Sequence, residues 1–80
     1  MLKVRIISPE KELYCGEVKS VLLPGSLAPF EVFPHHAAIV SSLESGDISL
    51  RMEGGSRESI HIESGFVRCE KDCLTICVEQ

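Results

Sequence analysis

The chain has 80 residues, of which 12 are acidic and 8 basic, giving a formal net charge of −4 at pH 7. A chain of this length forms one domain and buries about 60–65% of the surface it exposes when unfolded, which excludes a doubly wound nucleotide-binding domain with a second lobe. The basic residues run from Lys3 to Lys71 with no two adjacent, so the concentrated positive face that displaces counterions from nucleic acid is missing.

The N-terminal segment Met1-Leu2-Lys3-Val4-Arg5-Ile6-Ile7 alternates apolar and charged residues. It lacks the continuous apolar core of a signal peptide, and no segment has the run of roughly 20 apolar residues that a membrane span needs. The expectation is a cytosolic chain whose membrane contact comes only through a partner. Period-two alternation recurs at Ile48, Leu50 and Met52 and again at Ile60 and Ile62, while the 3.6-residue period of a helix is nearly absent. Val and Ile supply 14 residues against three Ala, a strand composition.

Turn signals fall at Ser8-Pro9, Pro24-Gly25-Ser26, Ser45-Gly46-Asp47, Glu53-Gly54-Gly55-Ser56, Ser64-Gly65 and Glu70-Lys71-Asp72. They predict an all-β fold, a small two-sheet β-sandwich or flattened barrel of about eight short strands. The predicted strands cover 2–8, 17–23, 29–33, 37–43, 47–53, 57–63, 65–70 and 73–79. The continuous run Val21-Leu22-Leu23 reads as a strand buried on both faces or bent between sheets. Leu27 through Ala38 mixes two prolines, two phenylalanines and paired histidines; it is too apolar for an idle loop and is the first place to seek a working surface.

No catalytic constellation assembles. Ser41 and Ser42 lie near His35 and His36 in sequence, without a nucleophile elbow or an orienting acid. Gly54-Gly55 reads as a hairpin turn, so it opens no helix on which a phosphate could sit. His35 and His36 follow Pro34 and are expected at the entrance of a strand, one packed and one exposed. The four cysteines, Cys15, Cys69, Cys73 and Cys77, read as small packed thiols. Cys73 and Cys77 are expected on one sheet face about 13 Å apart, beyond disulfide reach. An alternative reading is a metal- or redox-responsive β-module using Cys69, Cys73, Cys77 and the histidines. No cofactor is expected.

The order of these features resembles the N-terminal β-sandwich domain of the epsilon subunit of F-type ATP synthases. The similarity runs through Leu2–Glu10, through Leu13-Tyr14-Cys15-Gly16-Glu17-Val18, and from Val21 to Ser26. Val32-Phe33-Pro34-His35-His36-Ala37-Ala38 resembles the family's apolar–aromatic–Pro–Gly–His–Ala–Pro motif, and Ser45-Gly46-Asp47-Ile48 and Ile62 to Val67 follow in collinear order. His35 stands where the family has glycine, Ala38 where it has proline, and Glu31 where glycine is common.

The resemblance implies a non-catalytic rotor subunit in the central stalk of a proton-translocating ATP synthase, peripheral on the cytoplasmic face of the cell membrane. Its partners would be the gamma subunit, through Ser8, His36 and Ser41, and the ring of c subunits, through Ala28, Pro29, Phe30 and Glu31. Substituting Asp at His36 or Phe30 is expected to weaken association without unfolding the domain. The family's helical hairpin has no counterpart within residues 1–80, read as a single β-sandwich domain, so its inhibitory and ATP-sensing roles are not expected of this segment.

Overall fold

The computed structural model describes residues 1–80 and contains strands and turns without a helix. Nine strands follow one another: β1 (Leu2–Ile7), β2 (Glu12–Val18), β3 (Ser20–Leu23), β4 (Phe30–Val32), β5 (Ile39–Leu43), β6 (Gly46–Arg51), β7 (Arg57–Ile62), β8 (Ser64–Glu70) and β9 (Cys73–Glu79). They form a five-stranded sheet in the order β2-β1-β9-β8-β5 and a four-stranded sheet in the order β4-β3-β6-β7. All pairs are antiparallel except β1 with β9.

The alternation seen in the sequence is what makes two sheets pack. Leu2, Val4 and Ile6 point inward from β1, Val67 and Cys69 from β8, and Leu74, Ile76 and Val78 from β9. They meet Val21, Leu23, Val32, Ile48, Leu50 and Ile62 of the facing sheet in one cluster of 16 buried residues. Each fully buried aliphatic side chain contributes about 1.5–3 kcal/mol relative to exposure. A sheet with one dry face and one wet face must alternate in this way.

The ninth strand is the main departure from the sequence reading. Predicted strand 17–23 is two strands: β2 ends at Val18, and the chain passes at Lys19 into the other sheet as β3. β2 escapes the alternation rule because it is an edge strand whose inward positions are Tyr14, Gly16 and Val18. Gly16 leaves room for its neighbour's ring, since a Cβ there would lie 3.0 Å from Tyr14 Oη. The apolar run in β3 is neither buried on both faces nor bent, because Leu22 is exposed while Val21 and Leu23 are buried.

Gly54 and Gly55 adopt φ of 91° and 95° and close the β6–β7 hairpin, as their sequence signal implies.

Candidate partner-binding surfaces

The segment from Pro24 to Pro29 joins β3 to β4 and is pinned to β5. Ser26 N donates to Ser42 O, Glu44 N donates to Pro24 O, and Ser42 Oγ donates to Ser26 Oγ at 2.9 Å. Gly25 lies so close beneath the loop that a Cβ there would come within 2.5 Å of Ala28 O and 2.8 Å of the Phe30 ring. This close approach is why glycine follows Pro24.

The four residues expected to face the ring divide in two. Ala28 and Pro29 are exposed at the tip, beside Leu27, whose side chain is wholly in solvent. Phe30 is half-buried against the core, and the Glu31 carboxylate accepts a 2.7 Å hydrogen bond from the buried Ser20 hydroxyl. Phe30 thus supports the loop from below, so an Asp there would also cost folding stability. A lone leucine between Ser26 and Ala28 has no periodicity to mark it, so the exposure of Leu27 is visible only in the structure.

The residues expected to face gamma occupy three separate places. Ser8 follows β1, where its hydroxyl accepts from the amides of Glu10 and Lys11 and donates to Lys11 O. Ser41 lies on edge strand β5 at the opposite side of the same sheet, with its hydroxyl on Ser42 O. His36 precedes β5 at the other end of the strands. Ser41 and the 24–30 loop share the wall of an open groove of about 430 Å³. Ser8 and His36 do not share one.

What connects the Ser8 corner to the loop is a row of outward-facing residues. Ile7 is opposite Cys77, Cys77 opposite Phe66, and Phe66 opposite Ser42, which in turn bonds Ser26. Phe66 is 53% exposed and Val40, one strand away, 75%. An aromatic and a valine thus stand in water on the outer side of this sheet, next to the row that runs from Ile7 to Ser42. The sequence held the signal for Phe66, which is out of phase with the buried Val67.

Both histidines of the paired motif are exposed, which corrects the expectation that one would pack. They do not sit on a strand. His35 adopts φ of 67°, in the left-handed region, so the chain keeps a glycine-like backbone at this position with a histidine in place.

The thiols do not converge. Cys69 is buried in the core, whereas Cys73 and Cys77 face outward from β9 and Cys15 outward from β2. Alternation puts Cys69 on the inner side and the other three on the outer side, so the metal- or redox-responsive reading finds no support. Burial pushes the Cys69 thiol pKa up, with smaller contributions from Asp72 and Cys73. Burial also raises that of Tyr14, whose hydroxyl reaches Met52 Sδ at 3.7 Å, with help from Glu58 and Cys15.

On the other sheet, His61 lies between two carboxylates, Nδ1 at 2.9 Å from Asp47 and Nε2 at 3.0 Å from Glu63. Hydrogen bonding first to Asp47 and then to Glu63 raises its pKa, because both ring nitrogens donate only in the imidazolium form.

The family model for the β-sandwich domain of the ATP synthase delta/epsilon chain matches residues 1–80. The chain belongs to that family. The ATP synthase epsilon chain of Leptospira interrogans is 40% identical over 78 residues, 98% of this chain and 61% of the relative. That of Campylobacter jejuni is 42% identical over 78 residues, 98% of this chain and 59% of the relative. The chain therefore spans about three-fifths of the length of these epsilon chains. The sandwich superposes on a chain of the Euglena gracilis mitochondrial ATP synthase with a TM-score of 0.93 at 16% identity, covering 99% of this chain and 51% of that one. A chain from the central stalk and c-ring structure of the Tetrahymena thermophila enzyme gives 0.82, also at 16%, covering 99% and 63%. These two likenesses show the fold. No helix in this epsilon-type domain is long and apolar enough to cross a membrane.

Proposed function

We propose that this domain is a non-catalytic rotor element of an F-type ATP synthase. It holds the gamma subunit on one side and rests on the ring of c subunits on another, so that ring rotation passes to the stalk. The observation that carries the reading is the family match along all 80 residues. A stiff sandwich suits the role, because a close-packed core transmits strain instead of absorbing it.

The gamma-facing surface in this reading runs from Ser8 along Ile7, Cys77 and Phe66 to Ser42 and Val40, with Ser41 on the rim of edge strand β5 and His36 as a further point at the other end. The ring-facing surface is the exposed tip Leu27-Ala28-Pro29. The domain itself forms no bond in the reaction, works at the cytoplasmic face of the membrane, and serves a proton-translocating enzyme.

A pull-down of tagged protein with co-expressed gamma subunit from the same genome tests this, with metal analysis on the same eluate. A one-to-one complex without zinc is expected. His36→Asp should weaken it about tenfold or more while leaving the thermal melt unchanged. Failure of the parent chain to capture gamma would overturn the reading.

A further inference from the structure

Residues 33–38 have no regular structure, and a single hydrogen bond ties them to another element. It runs from the main-chain amide of His35 to Asp72 Oδ1 at 2.7 Å. The second carboxylate oxygen lies 3.7 Å from His35 Nδ1. The remaining hydrogen bond in the segment is internal, between His36 Nδ1 and Ala37 O.

Asp72 is itself held from three directions. Lys71 and Asp72 have φ of 51° and 60° and form the tight turn that joins β8 to β9. The Asp72 carbonyl accepts from the amide of Lys3, which ties the turn to β1. Its carboxylate is partly buried against the loop that carries His35. A short carboxylate side chain on a tight turn therefore accepts a hydrogen bond from the one residue of the 33–38 loop whose backbone is left-handed. Histidine reaches that conformation less readily than glycine. The charge-assisted bond from its amide favours the conformation that exposes this amide to Asp72.

We propose that Asp72 is a positioning residue for the partner-binding loop: it fixes the left-handed turn at His35 and thereby sets the direction in which His36 is presented. This rests on the reading above, in which His36 contacts gamma. Asp72 touches no partner in this account; it acts through the His35 backbone, and the distance of 37 positions between the two residues hides it from any local reading of the loop.

Two variants of the full chain separate the acceptor from the turn. Asp72→Gly keeps the left-handed turn and removes the acceptor. Asp72→Asn keeps both, since Asn adopts the same conformation and offers a carbonyl oxygen. Amide hydrogen exchange at His35 and His36, and the Kd for purified gamma subunit, are measured for each alongside the parent and His36→Ala.

With Asp72→Gly, exchange at His35 should accelerate about tenfold and Kd should rise by a similar factor. Asp72→Asn should restore both to within about threefold, taking an amide acceptor as weaker than a carboxylate. Unchanged His35 exchange in Asp72→Gly overturns the proposal. So does faster exchange with unchanged Kd while His36→Ala weakens binding. If the parent chain binds no gamma, the functional reading falls instead, and the exchange rates alone decide whether Asp72 holds the loop.

Discussion

On the outer face of the five-stranded sheet, Ile7, Cys77 and Phe66 stand opposite one another on adjoining strands, with Val40 close by. On the outer face of the four-stranded sheet the same outward phase is filled by the pairs Asp47–His61, Ser49–Ser59 and Arg51–Arg57. Both faces come from one rule, that alternate residues of a strand point away from the core. The contrast lies in what selection of side chains the outward phase receives. The second face is mostly polar and partly self-paired, with His61 held between Asp47 and Glu63 and Ser20 bonded to Glu31, and the large apolar side chain it exposes is Leu22, at 38%. The first leaves apolar area in water, which a second surface would cover.

The largest expected effect is in thiol chemistry. Cys15, Cys73 and Cys77 lie on the outer side of the five-stranded sheet and should alkylate in the native state. Cys69, buried and with a raised pKa, should react only through opening, slower by on the order of a thousandfold. Mass spectrometry over a labelling time course would show three fast additions and one slow one. Four fast additions would mean the sandwich is not closed over Cys69.

Next comes the difference between the faces themselves. Phe66→Asp should weaken gamma binding by about a hundredfold, because a carboxylate buried unpaired in an interface is costly. Ser59→Asp, at a matching outward position on the other sheet, should change it by less than about threefold. Titration calorimetry with each variant tests the pair, and equal losses would mean the two faces do not differ in binding gamma. Neither substitution reaches the core, so melting temperatures should stay near that of the parent.

A smaller effect is expected where the loop is braced. Gly25→Ala forces a methyl against Ala28 O and the Phe30 ring and should cost about 2 kcal/mol of stability, in the range seen for overpacking. Chemical denaturation would measure it. A neutral result would mean the 24–30 loop yields, and a yielding loop would be a poor rigid contact for a ring.

The smallest concerns His61 on the polar face. Its pKa is raised in the folded state by Asp47 and Glu63, so the protonated form favours folding. This contribution is complete below the ordinary histidine pKa of about 6.5 and disappears as pH rises through the higher folded value. His61→Gln should therefore remove a slight loss of stability between mildly acidic and mildly alkaline pH. An NMR titration in which His61 does not titrate above 6.5 would contradict the arrangement.

Much of the fold was legible in the chain itself. The phase of Leu2, Val4 and Ile6 or of Ile48 and Leu50 fixes which residues turn inward, because side chains alternate at a period of two whatever the surroundings. Turn residues such as Gly54-Gly55 place the reversals, because few residues adopt positive φ without strain. The collinear motifs reached the correct family, and the apolar segment from Leu27 to Ala38 marked the region where the loop tip and His36 are found. Edge strand β2 was not legible, since an inward tyrosine and glycine break the apolar signal.

Tertiary structure alone decided which strands are neighbours. Pairing β1 with β9 brings residues about 70 positions apart into register, and no local pattern encodes such a distance. The same is true of Phe66 between Ile7 and Ser42, of Gly25 beneath Phe30, and of Asp72 beside His35. Local sequence sets the direction a side chain faces; what it faces depends on how the strands are ordered in the sheets.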